Sequence, residues 1–333
     1  MRTRSARASG LAAAAALLFS TGCGIVRVAV PVMRPAEVNM AGYSTIAVGG
    51  MQGHHDRAMT TALEEGLVKS ERFKVVDRQH LNSIMRELKI SASDLADPEN
   101  ANKLGKQISA NALIFGTVEE KYAEEKGEDS FKDNKGVTHV IHKLRGEIAL
   151  SATFKVTDVS TGQLVVAKTY DERREDTNTG IDEAPRPIDR DGLSKSARGS
   201  VLRQFLHAIV PHKDYIDAAF YTDGDLPQLE TGIGYAQRGD WKKAQDVFND
   251  AIGAAERNPK IKSKTLGKAY WNLGLSYEYA GDYAKATSMI DKAYQLSQDA
   301  DMLAELDNIK RHEAEAKKLA EQTGKGEVIR ESK

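Results

Sequence analysis

The chain has 333 residues, 47 Lys and Arg against 48 Asp and Glu, and a single cysteine. Balanced charge argues against a nucleic-acid partner, because phosphate binding calls for a clustered basic surface. The length suits two domains, each able to bury its own core, and one thiol leaves no disulfide to brace either of them.

The first 24 residues carry Arg2, Arg4 and Arg7, then an apolar run from Leu11 to Phe19, then Ser20-Thr21-Gly22 leading into Cys23. The run is too short to span a bilayer and reads as an export signal over residues 1–22. Its removal leaves 44 basic against 48 acidic residues. The sole thiol, placed directly after small residues, resembles a bacterial lipobox. That resemblance implies that Cys23 carries fatty-acyl chains of the palmitate type and becomes the first mature residue. The alternative is an ordinary signal cut that leaves Cys23 free. Several acyl chains would anchor the protein firmly. Gly24 in place of an inner-membrane-retaining Asp implies, by the same resemblance, the periplasmic face of the outer membrane. Residues 23–40 then read as a lipidated tether, at most about 3.5 Å per residue when extended.

The next region, 41–212, reads as α/β. Tyr43–Gly50 is a short apolar strand closed by glycines. Helical spacing follows over Asp56 to Val68, with Met59, Ala62, Leu63 and Leu67 on one face. Phe73–Asp77 is a second strand, and Leu81, Ile84, Met85 and Leu88 mark a second helix. Asp97 and Pro98 open a third, with Leu104 and Ile108 inward. Asn111–Val118 is another strand. From Val140 to Val156 the period becomes two, the mark of a strand with one wet face. Asp158–Gly162 is a turn and Gln163–Tyr170 its hairpin partner. Gly192 to Val210 reads as a final helix. The charged stretches Glu119–Gly136 and Asp171–Arg198 are expected to be solvated loops.

Three strings in this region resemble the CsgG family of curli secretion components. They are Glu71–Leu81 with its continuation Ile84–Glu87, Gly105 with Ala110–Gly116, and Val156–Gly162. The resemblance implies a CsgG-like mixed sheet flanked by helices on a lipid anchor, in a family that includes a secretion channel and, more distantly, activators of peptidoglycan synthases. A channel subunit would insert hairpins whose strands each need about ten residues and an apolar lipid face. The charges in 119–136 and 171–198 oppose that, at about 2–4 kcal/mol for each Lys or Arg at the midplane.

Residues 222–322 contain an internal repeat. Gly239-Asp240-Trp241 with Ala244, Phe248 and Ala251 matches Gly281-Asp282-Tyr283 with Ala286, Ile290 and Ala293, and upstream Gly232 and Tyr235 match Gly274 and Tyr277. The pattern resembles tetratricopeptide repeats, an all-α helical hairpin module, with Asp301 to Gln322 as a capping helix. Residues 323–333 read as a polar tail. Such repeats bind an extended peptide or helix in their groove, and the resemblance places Lys268, Trp271, Asn272, Leu275 and Glu278 there. Packing against the neighbouring repeat is the alternative for Trp271 and Leu275, and ordinary solvation is the alternative for Lys268, Asn272 and Glu278.

No catalytic motif stands out. His54-His55-Asp56 lacks a third metal ligand at suitable spacing and reads as a solvated turn or a cap by Asp56. His139 and His142 fall on the polar face of a hairpin. There is no G-x-S-x-G, Walker-type loop or H-E-x-x-H, and no cofactor or metal is expected. The sequence thus points to a non-enzymatic, lipid-anchored envelope scaffold or activator that recruits a protein partner through its helical repeats. The alternative is a subunit of an oligomeric outer-membrane channel. Self-association is open in either case.

Overall fold

The structure is a computed structural model that describes residues 24–91, 94 and 97–324. Cys23, the signal segment 1–22 and residues 325–333 of the tail lie outside the described residues. In chain order the elements are β1 (Ile25–Arg34), β2 (Thr45–Gly53), α1 (Asp56–Lys69), β3 (Lys74–Val75), α2 (Arg78–Glu87), α3 (Pro98–Ile108), β4 (Ala112–Lys132), β5 (Thr138–Asp158), β6 (Leu164–Ile181), α4 (Arg190–Ile209), β7 (His212–Tyr221), α5 (Gln228–Ala236), α6 (Trp241–Glu256), α7 (Ser263–Tyr279), α8 (Tyr283–Ser297) and α9 (Asp301–Thr323). They form two compact units. One comprises the described residues up to Val32 together with Tyr215–Glu313, and the other Met33–Asp214 together with the described residues from Ala314 onward.

The second of these units is built on a five-stranded sheet of order β3-β2-β4-β5-β6. β2 runs parallel to β3 and β4, while β4–β5 and β5–β6 are antiparallel hairpins. Strand alternation sorts the core into two layers. Ile46, Val48, Ile114 and Phe154 meet Met59, Leu63 and Leu67 of α1 and Val201 and Phe205 of α4. The Phe154 and Phe205 rings stack with centroids 4.3 Å apart. Ala47, Leu113 and Phe115 turn to the other face and meet Leu81 and Met85 of α2 and Leu104 and Ile108 of α3. That double coverage explains why the β2 and β4 segments read as continuous apolar runs. Asp77 caps α2 by accepting from the amides of Gln79 and His80, and Asp97 caps α3 ahead of Pro98. A Cβ on Gly105 would lie 1.6 Å from Cγ1 of Val159, so α3 can approach the β5–β6 turn only with glycine there. In that turn Asp158 accepts from Ser160 and Thr161, and its carboxyl is held down to about 2, chiefly by the Ser160 hydroxyl.

The structure corrects the sequence reading at three places. Glu119–Lys132 and Asp171–Ile181, expected as loops, continue β4 and β6 and pair with β5 through residues 138–151. Ladder hydrogen bonds and cross-strand charge pairs support these strands, which carry no apolar alternation to announce them. Ile25–Arg34, expected within a tether, is strand β1. His212–Tyr221 is strand β7, and the two form a separate ribbon. The amide of Thr222 bonds the carbonyl of Gly24 at 2.9 Å. The start of β1 therefore lies beside the end of β7, and the strands are antiparallel.

The other unit contains the helical repeat. α5–α6 and α7–α8 form matched hairpins, each with a small residue on its first helix beneath a large one on its second. A Cβ on Gly232 would lie 2.3 Å from the Phe248 ring, and one on Gly274 would lie 2.6 Å from Cδ1 of Ile290. Each second helix starts alike: Gly239 and Gly281 adopt positive φ, and Asp240 and Asp282 accept from the amides of Lys243 and Lys285, both at 3.2 Å. Met302 and Ile309 of α9 join this core, as do Val28 and Val30 of β1 and Ala218 and Phe220 of β7. The end of α9 belongs to the sheet unit, where the Gln322 side chain bonds both backbone groups of Ala36 at 2.8 Å.

Candidate functional site

The five groove residues all lie on α7, within the helical unit. The face they form is occupied by the chain itself. Asn272 accepts from the amide of Tyr221 and donates to its carbonyl, both at 2.8 Å. The Trp271 indole donates to the carbonyl of Ala219 at 2.7 Å. Lys268 pairs with the buried Asp223 at 2.8 Å, and the Thr265 hydroxyl bonds the same carboxylate at 3.1 Å. Leu275 is buried in the core. The expectation that these positions stand open to a ligand is therefore corrected. α7 grips an extended strand through its backbone, as such a groove would grip a peptide, but the strand is β7. Sequence reasoning missed this because β7 lies outside the repeat and carries no repeat signal.

Glu278 points instead at α9. Its carboxylate, buried, meets Nδ1 of His312 at 2.6 Å. Burial raises both Glu278 and the neighbouring Glu305 to about 7, and in Glu305 the proximity of Glu278 adds to the effect. Two carboxyls sharing a dry site cannot both ionise cheaply.

In the sheet unit the polar focus is Glu120, where β4 leaves the core. Its buried carboxylate accepts from the Ser194 hydroxyl of α4 and faces Arg198 at 3.7 Å and Nε2 of His55 at 3.3 Å. His55, not Asp56, occupies the N-cap of α1. It has φ 54° and no capping side-chain bond, which corrects the expected Asp56 cap. His54-His55-Asp56 supplies one residue to a charge cluster that ties α4 to the sheet. Among the described residues no group of three or more His, Cys, Asp or Glu is arranged to hold a metal ion.

Beyond Glu120 the three long strands expose paired charges. On one face Arg145 pairs with Glu175, Lys143 with Asp129 at 3.3 Å, and Arg173 with Glu147 at 3.8 Å. On the other, Arg190 lies over the Tyr122 ring at 5.0 Å and Ile188 is buried. At the tip, His139 bonds Asp182 at 2.6 Å, which raises the imidazole, and His142 meets Glu128 at 3.1 Å.

Comparison with known proteins bears on part of this mixed sheet, which has two helices on each face and two long hairpins. Residues 24–182 match the family described as curli production assembly/transport component CsgG. That stretch, just under half of the chain, includes every string that carried the resemblance. Among solved structures the chain is similar to the C-terminal domain of LpoB from Salmonella enterica, at 15% identity over 41% of this chain and 87% of that one, with a TM-score of 0.28. It is also similar to a lipoprotein from Neisseria meningitidis, at 12% identity over 49% and 97% of the two chains, with a TM-score of 0.27. No curated protein matches the sequence. Among the described residues, no helix is long and apolar enough to cross a membrane.

Proposed function

We propose that the chain is a non-enzymatic, lipid-anchored scaffold or activator of the cell envelope. In this reading Cys23 carries the acyl chains, the protein faces the periplasm from the outer membrane, and the helical hairpins, tetratricopeptide-like in their matched caps and small-on-large contacts, recruit an envelope protein. One observation carries the choice of scaffold over channel. The outer halves of β4, β5 and β6 are long enough to span a bilayer, yet they wear ion pairs where a barrel strand needs an apolar lipid face. Because β7 already fills the first-helix side of α7, the partner would meet the outward sides of α6 and α8.

Photo-crosslinkers placed in the lipidated full-length protein test this, at Asp250 and Asp291 on the second helices and at Glu125 and Thr179 on the long strands. Adducts to one envelope protein from the helical positions are expected. Adducts confined to the strand positions would move recruitment to the sheet unit. Ion conductance by the purified protein in planar bilayers would replace the scaffold reading with the channel.

A further inference from the structure

The β1–β7 ribbon has two faces of opposite use. Even-numbered residues, Val28 and Val30 with Ala218 and Phe220, enter the helical core. Odd-numbered residues point the other way, except Tyr221 at the end of β7, whose ring packs on Trp271. They include Ile25 and Tyr215, which are 56% and 63% exposed, with Ala29 and Pro31 also open. Tyr215 has the greatest exposure among the large apolar side chains described. Within this unit the outward face carries Arg27 and Asp217 as its charged positions.

We infer that this outward face is a lipid-contact surface that lies in the headgroup region of the bilayer. The inference rests on the proposed acylation of Cys23. β1 begins two residues after that cysteine, which at about 3.5 Å per residue keeps Ile25 within about 7 Å of the acylated position. A strand held that close to a bilayer presents one face to it, and the alternation supplies an apolar one. Ile25, Ala29 and Pro31 remove apolar area from water on contact. Tyr215 sets an apolar ring and a polar tip at the depth where such side chains concentrate. Arg27 can reach up to anionic headgroups while its stem stays against the acyl boundary. The same alternation explains why a ribbon of two strands keeps apolar side chains on the face that does not pack on helices. The lipid anchor would hold the protein at the membrane, and the ribbon would set its orientation there.

The test uses the lipidated full-length protein in vesicles of phosphatidylethanolamine and phosphatidylglycerol. With Cys23 acylated, Ala29→Cys supplies the one free thiol for an environment-sensitive fluorophore, and Asp250→Cys on α6 supplies the control. Spin-labelled lipids with the nitroxide near the headgroup should quench the label at 29 at least about twofold more than the label at 250. Adding Ile25→Asp and Tyr215→Ser should abolish that difference while mass spectrometry still finds the acyl chains. Equal quenching at 29 and 250 on an acylated protein overturns the inference and leaves the anchor standing. Protection of position 29 that grows with protein concentration in detergent, without vesicles, overturns it in favour of contact with a second copy. An unmodified Cys23 overturns the anchor and this inference together.

Discussion

The inner and outer halves of β4 and β5 share one hydrogen-bond ladder but rest on different physics. From Ala112 to Val118, and across to Ala152–Asp158, the strands are held by burial, with side chains locked between helix layers. Beyond Glu120 the same strands continue for more than ten residues in which charged and polar side chains in water predominate, with Ile148 and Leu144 of β5 still buried. The lesson is that a sheet can be extended by its backbone once a buried segment has set register and twist. The extension then needs only side chains that tolerate a strand and neighbours of opposite charge. Glu120 marks the change, a carboxylate kept buried by Ser194, Arg198 and His55.

Substitutions on the two sides of that boundary should separate the two modes of support. Phe154→Ala removes a fully buried ring stacked on Phe205 and should cost about 3–5 kcal/mol. Phe131→Ala, at the exposed tip, should stay within about 0.5 kcal/mol. Denaturant unfolding of the sheet unit reads both, and equal losses would show that the outer hairpin is as integral as the inner one. Next in size is a buried polar contact in the helical unit. Asn272→Ala strands both backbone groups of Tyr221 and should cost about 2–3 kcal/mol. Amide exchange should rise first at Tyr221; unchanged exchange there would mean that β7 does not depend on the clasp.

A smaller effect concerns Glu305. Its folded-state carboxyl, like that of Glu278, is raised from 4.5 to about 7. Between these values the folded state binds more protons than the unfolded one. The contribution is therefore complete below about pH 4.5 and is lost as pH rises through about 7. Glu305→Gln should flatten that decline and stabilise the helical unit at neutral pH by about 1 kcal/mol. Thermal melts across this range check it, and an unchanged slope would place the pH dependence elsewhere. Smallest of all is the solvated ladder. Arg145→Ala removes the Glu175 pair in open water and should leave stability nearly unchanged. A larger loss, read in the same melts, would mean that the charge pairs hold the outer hairpin rather than decorate it.

Much of the molecule was legible from residue patterns. The first sheet strands, the flanking helices, the Asp77 and Asp97 starts and the β5–β6 turn all follow from short-range rules, because capping, turn formation and amphipathic spacing are local. The paired hairpins were equally visible, since Gly232 and Gly274 recur beneath a large partner and each second helix opens on Gly-Asp. The candidate groove was legible only as a set of positions on α7; that Asn272 and Trp271 hold β7 was not legible.

By itself the sequence determined two kinds of local architecture and the CsgG-like character of residues 24–182. Periodicity, capping chemistry and ordered motifs are properties of neighbouring residues. Tertiary structure alone decided that β7 fills the grip of Asn272 and Trp271, that β1 is a strand, and that charged segments continue the sheet. In each case the partner is distant in sequence. A backbone hydrogen bond is blind to side-chain pattern, so the pairing becomes visible only when the chain has brought both strands together.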